Sequence, residues 1–188
     1  GCKKFIVGIG GSSTNDAGLG MLMALGFKFL DANGQEVMQG GQGLSQVVSI
    51  DETNVLPELA SCDFKIACDV NNPLYGTLGA AYIYAPQKGA NPEMVEALDA
   101  GLKHFADVVA KHKGQDFAHL PGAGAAGGLG FAFTAFLGGT LESGVKIILE
   151  ETKLEEELKD ADFVMTGEGR IDHQTAMGKA PIGVAKLA

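Results

Sequence analysis

A short strand that breaks into a glycine turn and then a helix constrains the fold of this chain more than any other stretch. Residues 5–9 (FIVGI) are mostly apolar and β-branched, which predicts a buried strand. Residues 10–16 (GGSSTND) follow at once, and the apolar residues 19–25 after them predict a helix. In α/β proteins such a turn presents backbone N–H groups to an anion. The alternative is that these residues only cap a strand-to-helix turn.

The long helix after Asn91 is the best-defined predicted element. Asn91 is a favourable N-cap residue, Pro92 suits the first turn, and Gly114 ends the pattern. Between them the apolar residues recur every three or four positions, which predicts a single face toward the core. These residues are Val95, Leu98, Leu102, Phe105 and Val109.

Strands and helices alternate along the remainder, with glycines where several strands end, so we predict an α/β fold of layered sheet and helices. Residues 31–34 (DANG) are typical of a hairpin turn before residues 36–38, and residues 80–85 fit either a strand or a helix. The other predicted strands are 27–30, 47–50, 64–70 (ending at Asp69), 145–149 and 163–166, and residues 154–158 predict a short helix.

Charge and cysteine content exclude several functional classes. The 188 residues carry a net charge of −9, which argues against binding to a nucleic-acid backbone. The three cysteines show no CxxC spacing and predict reduced thiols in a cytoplasmic protein. No apolar run is long enough to span a membrane, and we find no signal peptide. Because the sequence begins without Met and stops within a helical pattern, we expect a piece of a longer polypeptide.

A second polar loop, residues 166–179 (TGEGRIDHQTAMGK), repeats the design of the first. It carries Arg170, the only arginine in the chain, between Glu168 and Asp172. Arginine offers a planar fork for a carboxylate or a phosphate, although these three residues could instead form a structural ion-pair cluster. Lys179 lies near a predicted helix start, where a cation is unfavourable, which favours a role toward a ligand over simple solvation.

Neither loop is a Walker phosphate loop, because His173 and Ala180 break the required pattern. Residues 122–127 match GxGxxG, but no clear strand precedes them and no acid follows about twenty residues on. We therefore interpret them as tight glycine packing or as a helix start that faces a ligand.

Four carboxylates follow predicted strands, namely Asp16, Asp69, Glu168 and Asp172. Oxygen ligands of this kind suit Mg²⁺, which proteins usually hold with one or two carboxylates plus substrate phosphates. A capping or salt-bridge role is the alternative for each of them. The four histidines show no metal-binding spacing.

Five segments, in this order, closely resemble the bacterial glycerate kinase family over essentially the whole sequence. These segments are GIGGSSTNDAG, CDVNNPLYG, APQKGANPEMVE, PGAGAAGGLG and TGEGRIDHQTAMGKAPIGVAK. The resemblance implies the central and later part of such an enzyme, without the family's N-terminal Asp-Ser-Phe-Lys segment and its last strands.

The resemblance implies an enzyme that phosphorylates D-glycerate with ATP and Mg²⁺, giving 2- or 3-phosphoglycerate. It further implies two α/β domains with the active site in the cleft between them. On this basis we expect residues 1–25 and 151–188 to belong to the cleft region, and residues 26–150 to an inserted second domain. The partners would be small molecules, without nucleic acid or membrane. The alternative is a non-catalytic fragment, or a divergent member of the family, that binds a small anion or nucleotide; a dehydrogenase is less favoured.

Roles follow from the resemblance and from the needs of phosphoryl transfer. Arg170 would bind the glycerate carboxylate or the transferring phosphoryl group, Asp172 or Glu168 would accept the hydroxyl proton, and the roles of Asp16 and Asp172 could be exchanged. The predicted catalytic residues are Asp16, Glu168, Arg170 and Asp172. The predicted substrate- and phosphate-binding residues are Gly10, Gly11, Ser12, Ser13, Thr14, Asn15, Gly167, Gly169 and Lys179. The predicted Mg²⁺ ligands are Asp69 and Asp16.

Overall fold

Strands and helices alternate in the computed structural model, which describes residues 1–169 and 180–188, and the predicted α/β class is confirmed. The described chain divides into two units, Gly1–Leu141 and Glu142–Ala188. The strands are β1 (Lys4–Gly8), β2 (Lys28–Leu30), β3 (Ser49–Asp51), β4 (Asp63–Ala67) and β5 (Thr140–Glu142). The helices are α1 (Leu19–Ala24), α2 (Ala80–Tyr84), α3 (Pro92–Lys113), α4 (Ala125–Leu137), α5 (Gly144–Glu151), α6 (Leu154–Leu158) and α7 (Ala180–Leu187).

The main sheet has the strand order β1-β4-β5. Strands β1 and β4 are parallel, with Lys4 opposite Asp63 and Gly8 opposite Ala67. Helix α4 packs on this sheet, where the Phe133 and Phe64 ring centroids lie 5.8 Å apart. Because parallel strands run the same way, the segments that follow β1 and β4 emerge at one edge of the sheet.

A two-stranded antiparallel sheet joins β2 and β3. The predicted turn after β2 is present, since the Asp31 amide donates to the Gln35 carbonyl. The predicted return strand at residues 36–38 is reduced to one bridge, between Leu30 and Glu36. Strand β2 pairs with β3 instead, so the turn was predicted correctly and its strand partner was not.

Helix α3 forms as predicted. The Asn91 side chain accepts a hydrogen bond from the Met94 amide at 2.8 Å, and Gly114 ends the helix in a left-handed conformation. Phe105 is fully buried and meets the Phe29 ring edge-on, with centroids 5.4 Å apart. Burial of a side chain of this size contributes about 2–3 kcal/mol to stability. No helix among the described residues combines the length and the apolar character that crossing a membrane requires.

The start of α4 packs against the loop that follows β1. Ala126, Gly127 and Gly128 have left-handed backbone angles, and the Gly127 carbonyl accepts a hydrogen bond from the Ala17 amide at 2.9 Å. A Cβ atom at Gly127 would overlap the Thr14 carbonyl oxygen. The GxGxxG segment therefore serves tight backbone packing, which was one of the two interpretations of its sequence.

The predicted strand at residues 145–149 is wrong, because these residues lie in helix α5. Val145 and Leu149 stand one turn apart and both lie against Gly183 of α7. Lys146 pairs with Glu142 at 2.9 Å and with Glu150 at 3.6 Å, one turn away on either side. An apolar run of five residues fits a strand or a buried helix turn equally well, and here the helical contacts decide.

The predicted strand at residues 163–166 is also absent from the described structure. Phe163 and Met165 are 90% and 96% exposed. A strand exists only through hydrogen bonds to a neighbouring strand, and no strand in residues 1–169 or 180–188 pairs with this segment. Elsewhere, β4 stops two residues before the predicted end at Asp69, and the ambiguous residues 80–85 form α2.

Replacing Gly127 with alanine should destabilise the full-length protein far more than replacing Gly114. The two glycines have nearly equal φ angles of 70° and 71°, so the cost of a left-handed alanine, about 1–2 kcal/mol, is common to both. Only at Gly127 does the added methyl group meet backbone, whereas Gly114 faces open space. Overpacking should raise the loss for Gly127→Ala to about 3 kcal/mol or more in urea unfolding. Equal losses for the two variants would contradict this packing.

Candidate active site

The parallel pairing of β1 and β4 places two polar segments side by side. Residues 10–16, which we call the glycine loop, follow β1, and Asp69 follows β4 two residues beyond its end. Ligands of parallel sheets bind beyond the carboxyl ends of the strands. This edge of the sheet is therefore the expected position for a site.

A cavity of about 460 Å³ lies at this edge. Four segments surround it, and they include Gly10, Gly11, Ser12 and Asp69, four of the residues that the sequence predicted to bind ligand or metal. The full lining is Gly8, Ile9, Gly10, Gly11, Ser12, Ala67, Cys68, Asp69, Val70, Tyr84, Gln87, Lys88, Ala125 and Ala126. The structure thus brings together residues that are almost 60 positions apart in sequence.

Lys88 lines the cavity and contacts the glycine loop. Its Nζ donates to the Ser12 hydroxyl at 3.0 Å and to the Thr14 carbonyl at 2.5 Å. Burial lowers the pKa of Lys88, and the nearby Asp16 carboxylate acts in the opposite direction. The sequence analysis missed this lysine. The available signal was weak: Tyr84, Gln87 and Lys88 have the spacing of one helical face.

Asp16 holds the backbone at the start of α1. It is only 8% exposed, and its two carboxylate oxygens accept hydrogen bonds from the Gly18 amide at 3.0 Å and the Gly20 amide at 3.3 Å. These amides belong to the first turn of a helix, where N–H groups lack partners within the helix. Asp16 is therefore a cap that fixes the glycine loop to α1, whatever else it does.

The other predicted residues of the glycine loop differ in their surroundings. Ser13 and Thr14 are exposed, and the Thr14 carbonyl faces Lys88. The amide group of Asn15 is buried, and neither its oxygen nor its nitrogen has a hydrogen-bond partner among the described residues. The cavity proper thus involves the first part of the loop, and the second part anchors it.

Tyr84 lines the cavity, and a hydrogen bond to Asn72 holds its side chain in place. The Tyr84 hydroxyl donates to the Asn72 side-chain oxygen at 2.6 Å, and the Asn72 amide nitrogen donates to the Leu78 carbonyl at 2.8 Å. Burial raises the pKa of Tyr84 and also that of Cys68, whose thiol donates to the Val70 carbonyl at 3.3 Å. Cys68 is therefore a packed thiol without the features of an activated nucleophile.

The sequence model of the glycerate kinase family matches residues 1–188. This chain belongs to the glycerate kinase family. It is 50% identical over its whole length to a glycerate kinase from Halalkalibacterium halodurans and to a glycerate 2-kinase from Escherichia coli K12, covering 50% and 49% of those proteins. The crystal structure of a protein from Salmonella typhimurium LT2 matches 98% of the chain with a TM-score of 0.92 and 49% identity. That match covers 50% of the Salmonella chain.

This glycerate kinase family chain thus spans about half the length of the curated relatives that it matches. Of the second predicted loop, Gly167, Glu168 and Gly169 belong to the unit Glu142–Ala188, where Glu168 is partly buried and both glycines are exposed. Arg170, Asp172 and Lys179 lie outside the described residues. Their assignment to the site stays a prediction, as does the proposed division of the chain between a cleft and an inserted domain.

The residues around the cavity fit Mg²⁺ better than a transition metal. Asp69 offers a hard carboxylate oxygen beside the Ser12 hydroxyl, and Mg²⁺ commonly takes one or two carboxylates together with substrate phosphates. Across residues 1–169 and 180–188, no three His, Cys, Asp or Glu side chains group as a metal cage would require. Of the two predicted ligands, Asp69 lines the cavity, whereas both oxygens of Asp16 are already bound to amides.

Removal of the Asp16 carboxylate should loosen the glycine loop, and Asp31 offers a matched control. Asp31 also accepts hydrogen bonds from amides two and four positions ahead, but in a more exposed turn. Asp16→Ala should lower the free energy of unfolding by about 2 kcal/mol, because one buried and one partly buried amide lose their acceptor. Asp31→Ala should lower it less, since water replaces the lost oxygens. Urea unfolding of the full-length protein measures both, and an equal effect would contradict the capping role.

Proposed function

We propose that the full-length protein transfers the terminal phosphoryl group of ATP to D-glycerate, giving 2- or 3-phosphoglycerate. One observation carries the proposal. Parallel pairing of β1 and β4 sets Gly10, Gly11 and Ser12 beside Asp69 around one cavity, in a chain 50% identical throughout to proteins named glycerate kinase. Backbone donors can bind phosphate oxygens, and a carboxylate at the same sheet edge can hold the Mg²⁺ that phosphoryl transfer uses.

The chain's own residues would act mainly by positioning. The amides of the glycine loop would hold phosphate oxygens, and the α1 cap made by Asp16 would keep those amides in place. Asp69 would hold Mg²⁺, which when bound neutralises charge on the phosphate oxygens. Phosphoryl transfer demands placement and charge neutralisation more than covalent catalysis, so this cavity suits it.

The substrate hydroxyl must lose its proton as its oxygen bonds to phosphorus and the bond to the bridging oxygen of ADP breaks. Glu168 and Asp172 are our candidates to accept that proton, and Arg170 is our candidate to bind the glycerate carboxylate or the transferring group. Lys179 completes the proposed set. We further propose a cytoplasmic location, which is compatible with the three free thiols of Cys2, Cys62 and Cys68.

The full-length protein should release ADP from ATP only when D-glycerate is present. A coupled assay measures the ADP, and ³¹P NMR of the product separates 2- from 3-phosphoglycerate. L-glycerate and lactate serve as control acceptors, since a site built for D-glycerate should reject an analogue with the wrong configuration or without the 3-hydroxyl group. Binding of ATP without turnover would instead favour the non-catalytic alternative, and turnover that ignores the acceptor would contradict the proposal.

Asp69→Asn should lower kcat/KM for this reaction by about 100-fold, because the carboxylate proposed to hold Mg²⁺ at the phosphates is lost. Asp63→Asn is the matched control. Asp63 is an exposed acid at the start of β4, and it does not line the cavity, which β4 reaches only at its last residue, Ala67.

 The four steps from Asp63 to Ala67 span about 13 Å of extended strand, so Asp63 lies well away from the cavity. Asp63→Asn should therefore stay within about twofold of the parent rate. Similar losses in both variants would show that overall charge, and not the position of Asp69, sets the rate.

A further inference from the structure

Lys88 lines the cavity, and its two hydrogen bonds to the glycine loop leave its positive charge without a directly bonded anionic partner. Its ammonium group donates hydrogen bonds to Ser12 and Thr14, which precede it by 76 and 74 positions in the sequence. An ammonium group has three donors, and these two bonds use two of them. Both acceptors, a hydroxyl and a carbonyl, are uncharged, so neither neutralises the cation.

The electrostatic surroundings of Lys88 favour the arrival of an anion. Burial removes water from the ammonium group and lowers its pKa, while Asp16 opposes the shift from a distance. The oxygens of Asp16 already bind the Gly18 and Gly20 amides. A partly desolvated cation with uncharged direct partners gains more from an incoming anion than a fully solvated one does.

The backbone of Gly10, which lines the same cavity as Lys88, has room for such an anion. A Cβ atom at Gly10 would have no heavy atom within 4 Å, and the φ angle of Gly10 lies outside the left-handed region. Neither packing nor backbone conformation therefore demands glycine at this position. Close approach of a ligand to the backbone would explain it, because glycine has no side chain to hinder that approach.

We propose that Lys88 binds the phosphate oxygens of the nucleotide in this cavity, together with the amides of Gly10, Gly11 and Ser12. The assignment rests on the proposed function in that ATP supplies the phosphates. A strand-to-helix glycine turn offers its donors to phosphate, and a lysine adds a point charge without requiring the planar geometry of a carboxylate. We therefore assign Lys88 to the nucleotide and not to the glycerate carboxylate.

Protection of Lys88 from acylation tests this assignment without any need for turnover. The full-length protein is treated with an amine-acylating reagent, and mass spectrometry follows Lys88 and Lys103, an exposed lysine of α3. ADP at ten times its Kd leaves about a tenth of the sites free, so acylation of Lys88 should slow about tenfold. D-glycerate alone should change it less than twofold, and Lys103 should react equally in all samples.

Two results would overturn the assignment: equal acylation of Lys88 with and without ADP, or protection by D-glycerate alone. The outcome is separable from that of the proposed function. Protection by ADP in a protein that does not phosphorylate glycerate would leave Lys88 assigned and remove the kinase activity. Turnover of glycerate without protection of Lys88 by ADP would support the kinase activity and overturn the assignment of Lys88.

A comparison of ADP with adenosine separates a phosphate contact from a structural role. Lys88→Met should weaken ADP binding by about 10- to 100-fold in calorimetry, because a charge-assisted hydrogen bond is lost, and should leave adenosine binding within about twofold. Lys88→Arg should recover part of the ADP affinity, and Lys103→Met should alter neither ligand. A purely structural lysine would weaken ADP and adenosine together. If Lys88→Met does not fold, the acylation experiment on the parent protein still decides.

Discussion

The glycine loop keeps its shape because the first turn of α4 lies directly against it. The hydrogen bond from the Ala17 amide to the Gly127 carbonyl fixes this contact at 2.9 Å, and the absence of a Cβ at Gly127 makes room for the Thr14 carbonyl. The same carbonyl accepts the hydrogen bond of Lys88. The contact between Gly127 and the backbone of residues 14–17 thus sets the positions of α1, of the glycine loop and of the Lys88 ammonium group.

Two charged groups of opposite sign stabilise the loop by different means. Asp16 is buried and its oxygens accept backbone hydrogen bonds, so its charge stabilises the start of a helix. Lys88 remains at the cavity and bonds to uncharged oxygens. The Asp16 carboxylate therefore stabilises the fold, whereas the Lys88 ammonium group still has a donor for a ligand. The catalytic role that the sequence predicted for Asp16 stays a prediction beside this structural one.

Local patterns predicted the elements whose contacts repeat along the sequence. Helix α3 has a complete N-cap, a regular apolar face and a terminating glycine, and it formed over the predicted range. The run at 145–149 has no such flanking signals, and contacts with Gly183 make it helical. Lys88 was out of reach for a different reason. Its partners lie more than 70 positions away, and the helical spacing of Tyr84, Gln87 and Lys88 in its own segment does not by itself indicate a ligand.

The proposed phosphoryl transfer would need more positive charge than the described residues of the cavity supply. Among the described residues that line it, Lys88 is the cation and Asp69 the carboxylate. A nucleoside triphosphate carries several negative charges, and transfer spreads charge over further oxygens, which one lysine does not balance. Arg170 and Lys179, predicted from sequence for the second loop, would supply two more cations. The proposal therefore combines Arg170, the sole arginine of the chain, with Lys88, because one cation alone would not balance the charge of the phosphates.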